Sequence, residues 1–368
     1  MTTSGPVTYT VTYDDASSVT LTSSDITLNK TGTANGTVAV SGSGNSSRTV
    51  TISNITGDGT LGISVAAGTA GDNAGNLADA AGPSATFVVD NTAPSVGSVT
   101  DEVYTISKTR LNAWWSAADS GSGVAYSEYA VGTTPGATNI KGWTNAGTAN
   151  SAEITGLALQ VNGVYYVSVR AVDNVGLTSA ATSSAGVRVA QQVDSIPAAK
   201  ALVDGSVILL PARVVTAAFD GRFYIEEDNR ATGIRVQSAD STAVGQSVSV
   251  YGIMGVVDGE RAITNGKIDQ SAAGTALAPL FVVGKSVGSA GSAELYNIGL
   301  LLRTAGRVTG KGVGWFIVND GSGADVKVYS GKAVNTGAFV GATGISILEG
   351  DQRVIRTRFE SDVRIYAP

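Results

Sequence analysis

The sequence predicts an all-β protein of several small domains, and three observations carry that prediction. The first is composition. Gly accounts for 47 of 368 residues, Cys and His are absent, and Thr, Ser, Val and Ala fill much of the rest. Such residues suit strands joined by tight turns and leave little room for long helices. The second is periodicity. Residues 7–13 read Val-Thr-Tyr-Thr-Val-Thr-Tyr, a strict alternation that puts one face in a core and the other in water. The third is duplication. A shift of 92 residues places Phe223-Tyr224-Ile225-Glu226-Glu227-Asp228 on Trp315-Phe316-Ile317-Val318-Asn319-Asp320, and 10 of the 41 positions from 223 to 263 are identical without a gap.

The missing residue types also bound the chemistry. Without His or Cys there is no Ser-His-Asp triad, no Cys nucleophile and no zinc site of imidazole or thiolate. An enzyme is not expected. No cofactor is expected either, unless a hard cation such as calcium is held by oxygen atoms. The net charge of −6 disfavours nucleic acid. No apolar run approaches the ~18 residues that would mark a membrane span. The N-terminus has no basic region followed by an apolar stretch, so a signal peptide is absent, removed or outside these residues. Charge divides the chain: residues 1–193 carry 7 Lys+Arg against 13 Asp+Glu, and residues 194–368 carry 17 of each.

Short strands are expected near 19–28, 36–42, 48–55, 60–66 and 85–89, separated by turns such as Gly42-Ser43-Gly44-Asn45 and Thr56-Gly57-Asp58-Gly59. This stretch resembles the bacterial Ig-like domains of large surface proteins. The matching residues are Val11-Thr12-Tyr13, Ser24-Asp25-Ile26-Thr27-Leu28, Val38 to Gly44, Asp72-Asn73-Ala74-Gly75-Asn76 and the exit Val89-Asp90-Asn91-Thr92-Ala93-Pro94. The resemblance implies a sandwich over 1–93 and a further strand ahead of residue 7, where only six residues stand. An empty edge recruits a strand from elsewhere. Val7, Tyr9, Val11 and Tyr13 would line the buried side of that assembly edge. Asn29, Asn35, Asn45 and Asn54 each begin an Asn-X-Ser/Thr triplet.

Residues 94–191 form a second expected unit. Leu159 followed by Tyr165-Tyr166-Val167-Ser168-Val169-Arg170-Ala171-Val172-Asp173 resembles the fibronectin type III signature, with Trp114 or Trp115 filling the inter-sheet core. The two repeats, 192–288 and 289–368, each show five strands with Gly at the bends and resemble OB-fold barrels. That resemblance implies a ligand face on Phe223, Tyr224, Arg235, Trp315, Phe316 and Lys327, against the alternative that these side chains are core. Glu226-Glu227-Asp228 cannot converge on one point of a strand and reads as a solvated turn.

Asp72, Asp90, Asn91 and Asp173 sit in Asp/Asn/Gly turns that stabilise themselves and also offer oxygens to calcium. The Asp90-Asn91-Thr92-Ala93-Pro94 linker resembles the calcium-binding junctions of cadherins. The expected function is structural: a subunit or segment of an extracellular filament, stalk or surface layer, joined by strand addition and end-to-end domain packing. Its partners would be copies of itself or other surface proteins. The alternatives are a glycan- or peptide-binding module at the cell surface using the barrels, or an accessory region of a larger secreted enzyme.

Overall fold

In the computed structural model, which describes residues 1–288 and 297–367, the chain is all-β and divides into two compact units. The expected boundary between the two repeats, at 288/289, adjoins a segment outside the described residues.

The first unit comprises residues 1–103, 109–158 and 164–187. It begins with a sandwich of two three-stranded sheets. One sheet has the order β1 (Val7–Thr12), β4 (Ser47–Thr56), β3 (Asn35–Ser41), and the other β2 (Ile26–Lys30), β5 (Gly59–Val65), β6 (Phe87–Val89). Alternation does what the sequence predicts: Val50, Ile52, Leu61 and Val89 point between the sheets and are fully buried. Of the residues before β1, Thr2 pairs in parallel with Val89, donating its N–H to Val88 O at 3.0 Å.

A second sandwich follows in the same unit. One sheet joins Thr100–Asp101, Arg110–Trp114 and Ser151–Thr155; the other centres on Val124–Gly132, flanked by Lys141–Gly147 and Val164–Asp173. Trp115 is the core tryptophan, at 6% exposure, while its neighbour Trp114 is 48% exposed. Period 2 allows only one of two adjacent residues to face inward.

The second unit, residues 104–108, 159–163 and 188–368, holds two closed five-stranded barrels. The first consists of β7 (Val207–Phe219), β8 (Arg222–Glu226), β9 (Gly233–Ser238), β10 (Gln246–Val257) and β11 (Glu260–Ala273). Its order is β7-β8-β9-β11-β10, closed by β7 against β10, with β9 and β11 parallel. The second repeats this order with β12 (Leu301–Gly312), β13 (Trp315–Asn319), β14 (Asp325–Tyr329), β15 (Phe339–Glu349) and β16 (Gln352–Arg356). A last strand, β17 (Val363–Ala367), pairs with β15. The duplicated Gly252 and Gly344 have a steric reason. A Cβ on Gly252 would lie 2.3 Å from the Ile263 side chain, and one on Gly344 2.2 Å from Arg356 O.

Each barrel has its own core, with Phe223, Ile225 and Val236 in the first and Phe316, Val318 and Val328 in the second. Between them lies a third cluster of Ala217, Tyr224, Leu301, Ile345, Ile347 and Val354. Buried carboxylates stitch it. Glu226 accepts Leu301 N–H at 2.6 Å and pairs with Arg230 at 2.8 Å; Glu260 accepts Leu348 N–H at 2.9 Å and the Tyr224 hydroxyl at 2.9 Å. Glu226 is fully buried, so the reading of residues 226–228 as a solvated turn fails at its first position. Burial pushes the Glu226 carboxyl above the usual carboxylate range, against the Arg230 guanidinium and the Leu301 N–H, which favour its charged form. The Tyr224 hydroxyl is pushed up by burial and then by the charge of Glu260.

Lys200 lies on the one-and-a-half-turn helix Ile196–Ala201, which is capped by Ser195. Its ammonium donates to Thr232 Oγ1 at 3.0 Å. Desolvation pulls its pKa down to about 8, against the nearby Glu260 charge. Between pH 8 and 10.5 the unfolded lysine therefore holds a proton that the folded one has released, and stability from this group rises with pH across that window. Urea unfolding at pH 7.5 and pH 10 should show wild type gaining on Lys200→Met as pH rises; a pH-independent difference would contradict the assignment.

Candidate functional site

Three places on the described surface combine chemistry with geometry: the junction of the two sandwiches, the outer edge of β1, and a groove on the second barrel.

Three turns of the chain share one design, and two of them, at Asp119 and Asp173, meet at the junction. In each, an Asp carboxylate accepts the N–H groups two and four residues ahead, which closes the loop. Asp173 Oδ1 accepts from Val175 N at 2.9 Å and Leu177 N at 2.8 Å. Asp119 Oδ2 accepts from Gly121 N at 3.1 Å and Gly123 N at 2.6 Å. Asp72 Oδ1 accepts from Ala74 N and Asn76 N, both at 2.8 Å. The fold carries Asp119 and Asp173 to the end of the first sandwich, where Asp90 leaves β6. Asp90, Asp119 and Asp173 each offer an oxygen within 4.8 Å of the other two.

Asp90 ties the sandwiches directly. Its Oδ2 accepts Ser122 N–H at 2.6 Å and its Oδ1 accepts Thr92 N–H at 3.1 Å. Burial raises its pKa, but hydrogen bonding from Ser122 and from the Thr92 N–H outweighs burial and holds the carboxyl below its ordinary value. Asp90 is fully buried and Asp173 is 2% exposed. Asp173 Oδ2 has no hydrogen-bond partner. Among the described residues, no Lys or Arg forms an ion pair with any of the three. At an effective dielectric of about 20, two unit charges ~4.8 Å apart repel by roughly 3 kcal/mol.

Two of the four calcium candidates read from the sequence meet here, and two do not. Asp72 belongs to a self-contained turn whose second oxygen takes the Asn76 amide at 2.8 Å. That internal bonding accounts for its lowered pKa, the Asn76 side chain and N–H contributing most. Asn91 turns back onto the first sandwich, its N–H on Asp58 Oδ1 at 2.6 Å and its side-chain amide on Gly57 O at 2.9 Å. Asp119 was missed by sequence reasoning. Its signal was present, since Asp119-Ser120-Gly121-Ser122-Gly123 has the Asp/Gly turn pattern of the other two.

At the second place, β1 pairs only with β4, and no strand pairs with its outer edge among the described residues. Val7, Tyr9 and Val11 point inward but are only half-buried, as is Tyr13 just beyond the strand. The Tyr9 hydroxyl donates to Ala85 O at 2.9 Å, and the Tyr13 hydroxyl meets Thr69 Oγ1 at 2.9 Å.

The third place corrects most of the expected ligand face. Phe223, Tyr224 and Phe316 are each 1% exposed, and their alternating positions point them into the barrel cores or the inter-barrel cluster. Arg235 is 6% exposed and is held by Asp258 at 2.9 Å and Gln237 at 3.1 Å. Only Trp315 and Lys327 reach a surface, where they line an open groove of about 540 Å³ with Ile317, Asp325, Asp351 and Arg353. Lys327 stands 5.8 Å from the Trp315 ring and 4.6 Å from the Tyr329 ring, and bonds Glu349 at 2.6 Å. The Glu349 carboxylate holds the Lys327 ammonium above its ordinary value.

No family model matches the chain, and no curated protein matches it. Among solved structures, the chain is similar to a crystal structure of titin domains, at 16% identity and a TM-score of 0.28, covering 49% of this chain and 57% of that one. It is also similar to the chicken CNTN1 FN1–FN3 domains, at 8% identity and a TM-score of 0.25, covering 75% of this chain and 98% of that one. At these scores the likeness carries no functional argument. No helix among the described residues is long and apolar enough to cross a membrane.

The junction depends on close approach at Gly121, where an added Cβ would lie 2.4–2.6 Å from the Asp90 carboxylate atoms. Gly121→Ala should separate the two sandwiches and destabilise the first unit by about 1–3 kcal/mol, the usual cost of overpacking. Chemical denaturation would measure this, with Gly142→Ala as a control that has open space around the added Cβ and, like Gly121, no positive φ.

Proposed function

We propose that the chain is a structural segment of an extracellular filament, stalk or surface layer, assembled by strand addition at β1 and without catalytic activity of its own. The observation that carries this reading is the outer edge of β1: an unpaired ladder above three apolar side chains that remain half-buried. A donated strand would satisfy the free backbone groups and cover Val7, Tyr9 and Val11 in one step. The second unit supports the other half of the contact. Among the described residues its outer strand β17 pairs on one side only, and it exposes Ile365 and Tyr366, with Phe339 beside Tyr366 at a ring distance of 6.2 Å. Two unlike patches on one chain make a heterologous contact, which propagates as an open filament when its rotation does not close. The closed strand order of the barrels, with the third and fifth strands parallel, supports reading them as OB-like modules.

Electron microscopy of the concentrated protein tests the reading. Wild type should form regular fibres, and Thr8→Lys/Thr10→Lys, which places charge on exposed positions of β1, should not. A wild type that stays monodisperse at high concentration, or a double variant that polymerises equally well, would overturn it.

A second reading rests on the groove at Trp315. A half-exposed indole flanked by Lys327, Asp325 and Asp351 offers a stacking face with polar groups around it, which suits a sugar ring. Titration with oligosaccharides should then quench tryptophan fluorescence in wild type and not in Trp315→Ala.

A further inference from the structure

We propose that Asp90, Asp119 and Asp173 form a calcium site that locks the two sandwiches of the first unit together. The site goes beyond the assembly reading and does not depend on it.

The donor set selects the ion class. All three ligands are carboxylates, delivered by three separate segments: the exit of the first sandwich and two turns of the second. Carboxylate oxygens suit hard divalent cations, and a chain without His or Cys provides nothing for softer metals. Oxygens up to 4.8 Å apart can share one Ca²⁺ at its ordinary bond length of ~2.3–2.6 Å.

The surroundings are those of a built site. One oxygen of each turn carboxylate is fixed by two backbone N–H groups, which orients the carboxylate as outer hydrogen bonds orient metal ligands. Asp90 is held by one N–H on each oxygen, Thr92 on Oδ1 and Ser122 on Oδ2. The remaining oxygen of Asp173 is buried with no protein partner, in a residue 2% exposed. A buried acceptor with no donor, beside two further carboxylates and no ion-paired Lys or Arg, calls for a positive charge. Gly121 packs against Asp90 so closely that an added Cβ would lie 2.4–2.6 Å from the carboxylate, which brings the loop carrying Asp119 up to Asp90.

Asp90 belongs to the first sandwich, whereas Asp119 and Asp173 belong to the second. A bound ion therefore couples the domains: removing it leaves three like charges at the joint, and restoring it adds a bond from each side. Calcium would set the stiffness of the joint.

Isothermal titration of the monomeric chain with CaCl₂ after EDTA treatment, paired with thermal unfolding, tests this. One site is expected, with a Kd of ~10⁻⁴–10⁻³ M, as in extracellular calcium modules. Calcium should raise the unfolding temperature of the first unit. Asp119→Asn keeps an oxygen for the Gly121 and Gly123 N–H groups and should fold, yet weaken binding at least tenfold; Asp173→Asn should do the same. Asp72→Asn, in the self-contained turn, should bind as wild type. No binding at ~10 mM CaCl₂, or unchanged binding in both Asp119→Asn and Asp173→Asn, would overturn the proposal. Should a variant fail to fold, the calcium dependence of wild-type unfolding still decides. Fibre formation plays no part in these readouts, so either idea can fail alone.

Discussion

A buried carboxylate that accepts backbone N–H groups from a neighbouring domain is the interaction on which both units depend. The chain has no cysteine, so no covalent staple holds one domain to the next. Asp90 takes the Ser122 N–H across the sandwich junction; Glu226 takes the Leu301 N–H and Glu260 the Leu348 N–H across the barrel junction. Hydrogen bonds to charged groups contribute roughly 1.5–3 kcal/mol each, and an unpaired buried acceptor costs about as much. Such contacts fix geometry strictly, because a shift of one domain would strand both a charge and an N–H.

The strands were legible because alternation is a local property. The run at 7–13, the inward faces of the second sandwich and the duplicated barrels all follow from side chains that must choose between core and water. The aromatic face was less legible for the same reason. Alternation says that neighbours differ, but only the closed barrel decides that Phe223 and Phe316 point in while Trp315 reaches the groove. Tyr224 escaped both readings. It leaves the barrel core, as alternation requires, yet stays buried because a second barrel covers it.

Charges were the least legible part. Asp119 and Asp173 lie far apart in sequence, and nothing local brings them together. Each turn explains its own aspartate fully, so the sequence contains no residue in need of a partner until the fold leaves Asp173 Oδ2 without one. The burial of Glu226 likewise depends on the packing of two barrels, which no single strand reveals.

The two junctions then part company over their counter-charge. Between the barrels, Glu226 faces the guanidinium of Arg230, which also donates to Leu301 O at 2.9 Å, and Glu260 faces a tyrosine hydroxyl. That joint is complete with protein groups alone. Between the sandwiches, three carboxylates converge and no basic side chain pairs with them among the described residues. The charge division visible in the sequence is the same fact on a larger scale. The barrel half balances 17 against 17, while the sandwich half carries 7 basic residues against 13 acidic ones. An acidic joint that no basic side chain pairs with would, with calcium bound as proposed, draw its counter-charge from the solvent. On the calcium proposal the sandwich joint would respond to the ionic composition around it, whereas the barrel joint already holds its counter-charge in Arg230.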